Sequence, residues 1–469
     1  MAFLIGGANT ESAAYQIDNS GLFNDGQSQA LTRTHGASGS TRTFTFSCWV
    51  KFSDPKTGSS ASDCCHGIFA SEEEAGHQFF ISTDEGQIFR IADYQDGSYN
   101  LHLQTNRKFR DHSAWYHFCI IFDTTDGTQG DRCKLFVNGV RETSFSTEVY
   151  PSQNTDLYGN DNQAHFIGRR GGSNTMYFDG YIADVNFIDG TAAAATEFGE
   201  TNDNGVWIPK KYGGSYGNNG FFLEFGNTGT GQGANKFASD TSGNGNHYDT
   251  NNFSGQYQMT DTPTNNFCTL NPLHKSTTDV VLSKGNTEVV SGYSSGWQHC
   301  AATMAVRNGK WYWEAKAETV SATDKTSIGV FQFDTTDVDF IGVTNTDRSS
   351  KGISGHGAGT GSYSYADDDI IMSGMDLDNN KVYWGKNGTW FGSLDPAAGS
   401  GSTTQTIDNS NFCVPAVGGY GGSIWQLNFG NPTFSISSGN TDANGYGNFE
   451  YSVPSGFFAL NTKNLAEYG

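Results

Sequence analysis

Paired carboxylates are the first residues of this sequence whose type and spacing could support chemistry. Glycoside hydrolysis with retention needs two carboxyl groups about 5 Å apart, and carboxylates at alternate positions of one strand would share a face at short range. No Glu-x-Asp-x-x-Glu run of this kind occurs among the 49 acidic residues. Residues 72–74 are consecutive glutamates, so neighbours would point apart, and the aspartates at 367–369 open a strand and are expected to face solvent. The sequence therefore predicts no catalytic residue and no enzyme activity.

Soft metal ligands form a second set, because Cys64, Cys65, His66 and His77 lie close together in the sequence and Zn²⁺ accepts both residue types. Their spacing matches no zinc finger or zinc ribbon. Unpaired thiols in a loop are therefore the default interpretation, and a metal site is the alternative. With eight cysteines and no Cys-x-x-Cys pair, we expect folding in a reducing cytosol.

Histidines suggest no catalytic triad. His117 lies between Tyr116 and Phe118 in a strand-like run, where a core or edge histidine is commoner than a general base. His112 and Trp115 lie close by and add no nucleophile. No Gly-rich stretch carries the lysine of a phosphate-binding loop, which disfavours a nucleotide-binding protein.

Aromatic side chains in loops are the remaining binding candidates. Tyr363, Tyr365 and Trp390 fall in Gly- and Ser-rich segments. Loops on a rigid scaffold often carry binding residues, and aromatic rings both stack on sugars and anchor protein interfaces. We predict a binding site at these three residues, with packing in the core or between domains as the alternative.

The composition indicates the elements that must position these residues. With 60 Gly, 34 Phe, 21 Tyr and 9 Trp, the chain is suited to many short strands joined by tight turns, which predicts an all-β fold. Its 469 residues correspond to about two to four domains. The formal net charge of −22 disfavours nucleic-acid binding, which depends on clustered Lys and Arg. The first residues lack a basic region, and their apolar run is too short for a signal peptide or membrane insertion.

The segment at residues 367–392 predicts two strands and two turns. A strand at 371–377 alternates between two faces, Asp378, Asn379 and Asn380 reverse the chain, and a β-branched and aromatic strand returns at 381–384. The pair at 387–388 is Asn-Gly, which two-residue hairpins favour.

This segment resembles the SPRY-domain core signature, in which Asp-Leu-Asp, a short turn, a Val-Tyr-Phe-like strand and Lys-Asn-Gly follow one another. Segments similar to the other strands of that family occur in the same order, at residues 309–314, 328–330, 414–417 and 427–430. The resemblance covers about residue 291 to the C-terminus. It implies a second β-sandwich that serves as a binding module with variable loops.

The first half of the chain predicts another β-sandwich, because short strand-like runs recur between Gly, Asn and Asp turns. Its runs resemble the laminin-G-like, concanavalin A-like lectin sandwich over about residues 21–190. The segments that carry the resemblance are residues 44–50, 115–123, 134–139, 167–169 and 178–187. The resemblance implies one Ca²⁺ at the sandwich rim, for which the loops at 123–131 and 156–162 are candidates. Neither loop aligns with a ligand pattern, so we assign no ligand.

Four segments result: an N-terminal arm at 1–20, the concanavalin A-like jelly roll at 21–200, a Gly/Asn-rich connector at 201–275, and the SPRY-like sandwich at 276–469. The arm is expected to be flexible or docked to a partner. The connector is expected to pack between the two domains, because unstructured loops beyond about 12–15 residues are uncommon in compact folds.

The connector also resembles segments of tail-fibre-like and other virion structural proteins of marine bacteriophages, at residues 206–212, 221–225, 240–246 and 261–267. The resemblance implies a protein made in the host cytoplasm and exposed on the extracellular particle. Its role would be that of a tail-fibre or adhesin component that recognises a host-surface glycan or protein. It would form a homo-oligomer, and a trimer is the expected form. The alternatives are a capsid or tail decoration protein that binds other virion subunits, and a polysaccharide hydrolase.

Overall fold

The computed structural model divides the chain into two compact units, a first unit of Glu11–Thr264 and a second unit of Met1–Thr10 with Asn265–Gly469. Both are built from antiparallel sheets, and the prediction of an all-β chain with two β-sandwiches is confirmed. The structure describes residues 4–5, 15–56, 65–74, 76–171, 176–292, 298–320, 326–332, 350–354, 365–401, 407, 409–419 and 421–469, and of residues 4–5, 73–74 and 350–354 the backbone alone.

The first described strand, β1 (Leu4–Ile5), belongs to the second unit. The strands of the first unit are β2 (Ser20–Phe23), β3 (Ala30–Thr34), β4 (Thr43–Phe52), β5 (Gly67–Glu74), β6 (His77–Asp84), β7 (Ile88–Gln95), β8 (Ser98–Lys108), β9 (Tyr116–Asp123), β10 (Cys133–Val137), β11 (Val140–Arg141), β12 (Phe145–Val149), β13 (Ala164–Ile167), β14 (Gly180–Asp189), β15 (Gly199–Thr201), β16 (Trp207–Pro209), β17 (Phe221–Leu223), β18 (Asp249–Asn251) and β19 (Gln258–Met259). Short 3-10 turns lie at Asp25–Gln27, Gln129–Asp131, Tyr158–Asn160 and Ala195–Glu197.

These strands form two large sheets. Sheet I has the order β11-β10-β9-β4-β14-β2-β19, with β17 also paired to β14, and sheet II has the order β12-β8-β7-β6-β5-β13-β3-β18. The core between them is rich in phenylalanine. Strand β4 shows why the sequence folds this way: Phe44, Phe46, Cys48 and Val50 alternate onto the core face, as their spacing predicts.

The first sandwich is completed by residues of the predicted connector at 201–275. Strand β17 pairs with β14, β18 pairs with β3, and β19 pairs with β2. Phe221, Leu223 and Phe237 lie in the same core as the earlier strands. The apolar residues of this segment thus fill a core that the preceding strands leave incomplete.

The outer face of sheet I is covered by the chain itself. Trp49, Trp115 and Tyr181 on this face are 4%, 8% and 0% exposed, and they pack with Tyr15, Ile17 and Trp207 from the flanking segments. A second cluster continues the cover over β9 and β14. Its members are Cys119, Ile121, Ile188, Ala193, Ala195 and Phe198, with Phe136, Tyr212 and Tyr216 packed against them.

Among its described residues, the second unit has two large sheets, one two-stranded sheet and a short helix. Its further strands are β20 (Leu270–Lys275), β21 (Val280–Ser283), β22 (Glu288–Ser291), β23 (Gln298–Ala302), β24 (Met304–Ala305), β25 (Lys310–Thr319), β26 (Thr326–Gln332), β27 (Ser350–Ser354), β28 (Ile370–Asp376), β29 (Lys381–Lys386), β30 (Thr389–Trp390), β31 (Cys413–Gly419), β32 (Ile424–Asn428) and β33 (Phe458–Ala459), followed by α1 (Thr462–Tyr468). One sheet has the order β20-β23-β31-β26-β27, and the other has the order β21-β22-β32-β25-β28-β29-β30, with β33 beside β25.

The predicted hairpin of the second unit forms as expected. Strands β28 and β29 pair with Met375 opposite Val382, and both residues lie in the core. Asn387 and Gly388 have φ values of 49° and 83°, the left-handed conformations that a two-residue turn requires. The N-terminal segment differs from a free arm at one point, because β1 pairs in parallel with β24.

Candidate functional site

The three aromatic residues predicted to bind a ligand have different locations. Tyr363 lies outside the described residues. Tyr365 is 6% exposed, and its hydroxyl donates to the carbonyl oxygen of Thr326 at 2.7 Å, so it is a core residue and not a surface residue. Trp390 is half-buried, with its ring centroid 6.4 Å from that of Tyr312. Only part of the Trp390 side chain could contact a ligand.

The cysteine and histidine set is largely structural. Cys65 is disulfide-bonded, in contrast to the unpaired thiols expected, and Cys64 lies outside the described residues. Both ring nitrogens of His66 are engaged, one with the Asp54 carbonyl oxygen at 2.9 Å and one with the Asp179 amide at 3.1 Å. Burial lowers the pKa of His66 to about 3, so the ring is neutral.

His117 has a polar partner on each side of its ring but not the protonation of a general base. Its Nδ1 accepts from the indole N–H of Trp207 at 3.1 Å, so the proton is on Nε2, which lies 2.9 Å from Ser47 Oγ. Burial lowers the pKa of His117 to about 3. This arrangement cannot take a proton from Ser47, and it fixes Trp207 against sheet I.

The two loops considered for calcium hold their carboxylates in local contacts. Asp123 Oδ1 accepts from the Thr125 amide at 3.1 Å, and Asp156 pairs with Arg42 at 2.8 Å. Within the described ranges, no group of three or more His, Cys, Asp or Glu side chains could hold a metal ion. Among the turn carboxylates of the second unit, Asp369 likewise accepts from Asn387 at 2.6 Å.

The outer face of sheet II carries a different kind of surface. Strand register aligns side chains from β13, β5, β6, β7 and β8 across it, on the side opposite the core. We use "the outer face of sheet II" for these side chains. Its rows are Phe166, Ala70, Phe80, Ala92 and His102; Ala164, Glu72, Gln78, Tyr94 and Tyr99; and Ser82, Arg90 and Gln104, with Arg169 and Arg170 following β13.

Aromatic rings and guanidinium groups stack on this face. The Arg170 and Arg90 guanidinium carbons lie 3.7 Å and 4.9 Å from the centroid of the buried Phe80 ring, and that of Arg169 lies 3.9 Å from Phe166. Tyr99 is 37% exposed and stacks on His102 with the ring centroids 4.4 Å apart. The result is a flat aromatic and cationic surface.

Hydrogen bonds fix the polar groups around these rings. Arg90 pairs with Asp84 at 2.9 Å and donates to the Tyr99 hydroxyl at 2.8 Å. Arg170 donates to Gln78 at 3.1 Å, and Gln78 donates to Glu72 at 2.9 Å.

Some buried polar atoms on the outer face of sheet II are left without a partner. Arg90 Nε, His102 Nε2 and Glu72 Oε2 have no hydrogen-bond partner within the described part of the chain. Burial raises the pKa of Glu72, and burial together with Arg90 lowers the pKa of His102.

A separate cavity of about 220 Å³ lies on the other side of the first unit, lined by Tyr15, Asp184 and Glu224 among others. Asp184 interrupts β14 with a left-handed φ of 52° at an irregularity in the pairing with β4. The Tyr15 hydroxyl donates to Asp184 at 2.9 Å. Burial raises the pKa of Asp184 to about 7. The carboxyl is thus held by the segment that covers sheet I.

Sequence reasoning missed the outer face of sheet II because its members come from five strands. A local signal was present: Arg90 stands between Phe89 and Ile91, and His102 between Leu101 and Leu103. Such alternation places the polar residue opposite the core. It does not show which polar residues become neighbours, since that depends on strand register.

A comparison with family models supports the first unit's fold. Residues 24–197 match the model of the concanavalin A-like lectin/glucanases superfamily. A comparison with curated proteins gives no match. In the ranges that the structure describes, no helix has the length and apolar character needed to cross a membrane.

Three solved structures are similar to parts of this chain. The SPRY domain of human HERC1 has a TM-score of 0.26 and 16% identity, with 34% of this chain and 96% of that chain covered. A putative carbohydrate binding protein from Bacteroides ovatus has a TM-score of 0.30 and 13% identity, with 50% and 59% covered. Domain 4 of AbnA, an arabinanase from Geobacillus stearothermophilus solved with arabinotriose, has a TM-score of 0.28 and 15% identity, with 40% and 78% covered. Within this all-β chain of two sandwiches, residues 24–197 are thus similar to the concanavalin A-like lectins and glucanases.

Proposed function

We propose that the first unit binds a glycan on the outer face of sheet II. The observation that carries this proposal is the half-exposed stack of Tyr99 on His102, on a face that also carries the amide side chains of Gln78 and Gln104. Sugar rings present apolar C–H faces that aromatic rings cover, and hydroxyl groups that amides and guanidinium groups hydrogen-bond. A flat row of both kinds suits a chain of sugar residues.

The proposed role is binding without turnover. Asp84 already holds Arg90 and accepts from Gln104 at 3.0 Å, and Glu72 accepts from Gln78. Asp84, which is engaged by two side chains, orients its neighbours and is poorly placed to transfer a proton. Glu72 keeps Oε2 without a partner in the described residues and has a pKa raised by burial, so its substitution is the sharper test of turnover. Incubation with host polysaccharides should release no reducing ends. Release that stops in Glu72→Gln or Asp84→Asn would favour a polysaccharide hydrolase.

We further propose that the protein is a structural component of a bacteriophage virion, in a tail fibre or adhesin, and contacts other virion proteins. The sequence resemblance to virion structural proteins supports this role. A homotrimer is the expected form, which light scattering of the purified chain checks. Immunogold labelling of particles distinguishes the roles: a few copies at the tail support an adhesin, and many copies on the shell support a decoration protein.

A pair of aromatic substitutions tests the binding site. Tyr99→Ala removes the exposed ring of the outer face of sheet II, whereas Trp390→Ala removes the half-buried ring of the second unit. We expect Tyr99→Ala to weaken binding to host-surface polysaccharide at least about tenfold, or ~1.4 kcal/mol, in a pull-down titration. Trp390→Ala should retain binding. The reverse result would move the site to the second unit, and loss in neither variant would refute both locations.

A further inference from the structure

Arginines gather on the outer face of sheet II although the chain as a whole is acidic. The sequence has 27 Lys and Arg against 49 Asp and Glu. Arg90, Arg169 and Arg170 nevertheless lie over two aromatic rings of one sheet face. The overall field of the protein repels anions, so a cluster of this kind acts only at short range.

Arg90 and Arg170 both stack on the Phe80 ring, but they differ in their ion pairs. Both guanidinium groups lie within 5 Å of the Phe80 centroid. Asp84 pairs with Arg90 at 2.9 Å, whereas within the described residues no carboxylate lies at ion-pair distance from Arg170. On this face Arg90, Arg169 and Arg170 stand against two carboxyl groups, Asp84 and Glu72, and burial raises the pKa of Glu72, so local positive charge remains that a bound anion would neutralise.

The surroundings of Arg170 add to this imbalance. Its Nη2 donates to the neutral amide of Gln78, and its Nη1 lies 3.4 Å from the sulfur of Met176. Burial and the charge of Arg90 lower the pKa of Arg170 by more than the nearby Tyr99, Asp84 and Glu72 raise it, so on balance the protein around it disfavours the cation. A guanidinium offers five N–H donors in a planar fork that fits a carboxylate or a sulfate.

We propose that the glycan bound on the outer face of sheet II is acidic, and that its carboxylate or sulfate group binds Arg170 beside Arg90. This inference rests on the proposed glycan-binding function and specifies its substrate class. Tyr99 and His102 cover the sugar ring, and the arginines select for the charged substituent. The specificity for charge thus comes from side chains that stack on Phe80.

Three saccharide probes of equal length test the proposal on the full chain: an oligogalacturonate, a sulfated galactan oligosaccharide and a neutral galactan oligosaccharide. We expect one of the acidic probes to bind at least about tenfold more tightly than the neutral one by isothermal titration calorimetry. Its affinity should fall as NaCl rises from about 0.05 to 0.5 M, because added salt screens the ion pair. The stronger of the two acidic probes identifies the anionic group as carboxylate or sulfate.

Two substitutions assign the effect to Arg170. Arg170→Gln should lower the affinity for the acidic probe at least about tenfold, and by a clearly larger factor than it lowers the affinity for the neutral probe. Arg170→Lys keeps the charge but loses the planar fork, and should have an intermediate affinity. Thermal melts of both variants show whether the first unit stays folded, and Arg170→Lys serves as the test if Arg170→Gln does not fold.

The outcomes separate this inference from the function on which it rests. Equal affinity for neutral and acidic probes, lost in Tyr99→Ala and retained in Arg170→Gln, would overturn the acidic specificity and keep the glycan-binding site. Binding of no probe would overturn both. An equal loss for all probes in Arg170→Gln would make Arg170 a general contact and contradict the proposed selection for charge.

Discussion

The outer faces of sheets I and II belong to one sandwich but differ in what lies against them. On sheet I, Trp49, Trp115 and Tyr181 are buried under segments that precede and follow the laminin-G-like region. On sheet II, aromatic rings are covered by guanidinium groups of the same face, and Tyr99 remains 37% exposed. The chain therefore uses its extra residues on one face, and the other face carries the proposed ligand site.

This difference predicts that the outer face of sheet I mainly stabilises the first unit, whereas the outer face of sheet II serves the proposed binding. Residues on sheet I belong to a closed apolar cluster, where loss of a side chain leaves a cavity. Residues on the outer face of sheet II range from the buried Phe80 and Ala92 to the exposed Tyr99, and its accessible side chains contact one another through polar groups, where loss of a side chain is better tolerated. Substitutions on the two faces should thus have opposite signatures in stability and in affinity.

The largest loss of stability is expected for Asp261→Ala. Asp261 and Lys51 form an ion pair at 2.7 Å with side chains 0% and 1% exposed, and Asp261 also accepts from the Trp115 indole at 3.0 Å. Removal of the carboxylate leaves Lys51 as a buried charge, which typically costs about 3–5 kcal/mol. Urea unfolding measures the loss. The exposed pair of Arg42 and Asp156 provides the control, since Asp156→Ala should have little effect.

Trp207→Ala should have the next largest effect. The indole packs on sheet I and donates to His117 at 3.1 Å, so its removal uncovers Trp49 and leaves His117 Nδ1 without a donor. We expect a loss of about 2 kcal/mol, less than for a fully buried tryptophan. Tyr94→Ala on sheet II is the matched control and should cost under about 1 kcal/mol. Equal losses in the two variants would show that sheet II is as covered as sheet I.

The pH dependence of stability offers a third test of the covered face. Burial raises the pKa of Asp184 to about 7, above its value of about 4 in an unfolded chain. The native state therefore binds this proton more tightly, so the Asp184 contribution falls as pH rises from about 4 through 7 and is constant above. Asp184→Asn removes this decline.

The difference in folding stability between the Asp184→Asn variant and the parent protein isolates the pH-dependent contribution of the Asp184 carboxyl group. Burial raises the pKa of Asp93 to about 6, so its contribution to folding stability also falls as the pH rises. His66 and His117 are buried in the neutral form, so their contributions have the opposite pH dependence: the protein loses stability as the pH falls below about 6.5. These contributions are common to both proteins and cancel. From pH 4 to 7 the variant should gain more than about 1 kcal/mol relative to the parent, since one pKa unit corresponds to ~1.4 kcal/mol. A difference that does not vary with pH would contradict a buried, protonated Asp184.

The smallest effect on stability is expected for Tyr99→Phe. The substitution keeps the ring that stacks on His102 and removes the hydroxyl that accepts from Arg90. Stability should stay within about 0.5 kcal/mol of the parent. Glycan affinity should fall by less than in Tyr99→Ala. An affinity as low as that of Tyr99→Ala would make the hydroxyl, and not the ring, the main contact.

The sequence patterns that succeeded are local. Alternation placed Phe44 and Phe46 in the core, and the Asn-Gly pair at 387–388 formed the expected turn. Local patterns do not show long-range pairing: they do not identify β14 as the partner of Phe221–Leu223, and they do not place Tyr365 in the core of the second unit, because its segment is rich in Gly and Ser. The candidate site failed to emerge for the same reason, since Arg90 and Arg170 become neighbours only through the register of β5, β6, β7 and β13.

The late pairing partners of β2 and β3 affect how the first unit can fold. Met259 pairs with Ser20 and Asn251 pairs with Ala30, so both strands keep an open edge until some two hundred further residues have been synthesised. A fragment that ends at residue 197, where the family match ends, would lack β17–β19 and expose strand edges and core phenylalanines. We expect such a fragment to aggregate, whereas a chain that continues through Thr264 can close both sheets.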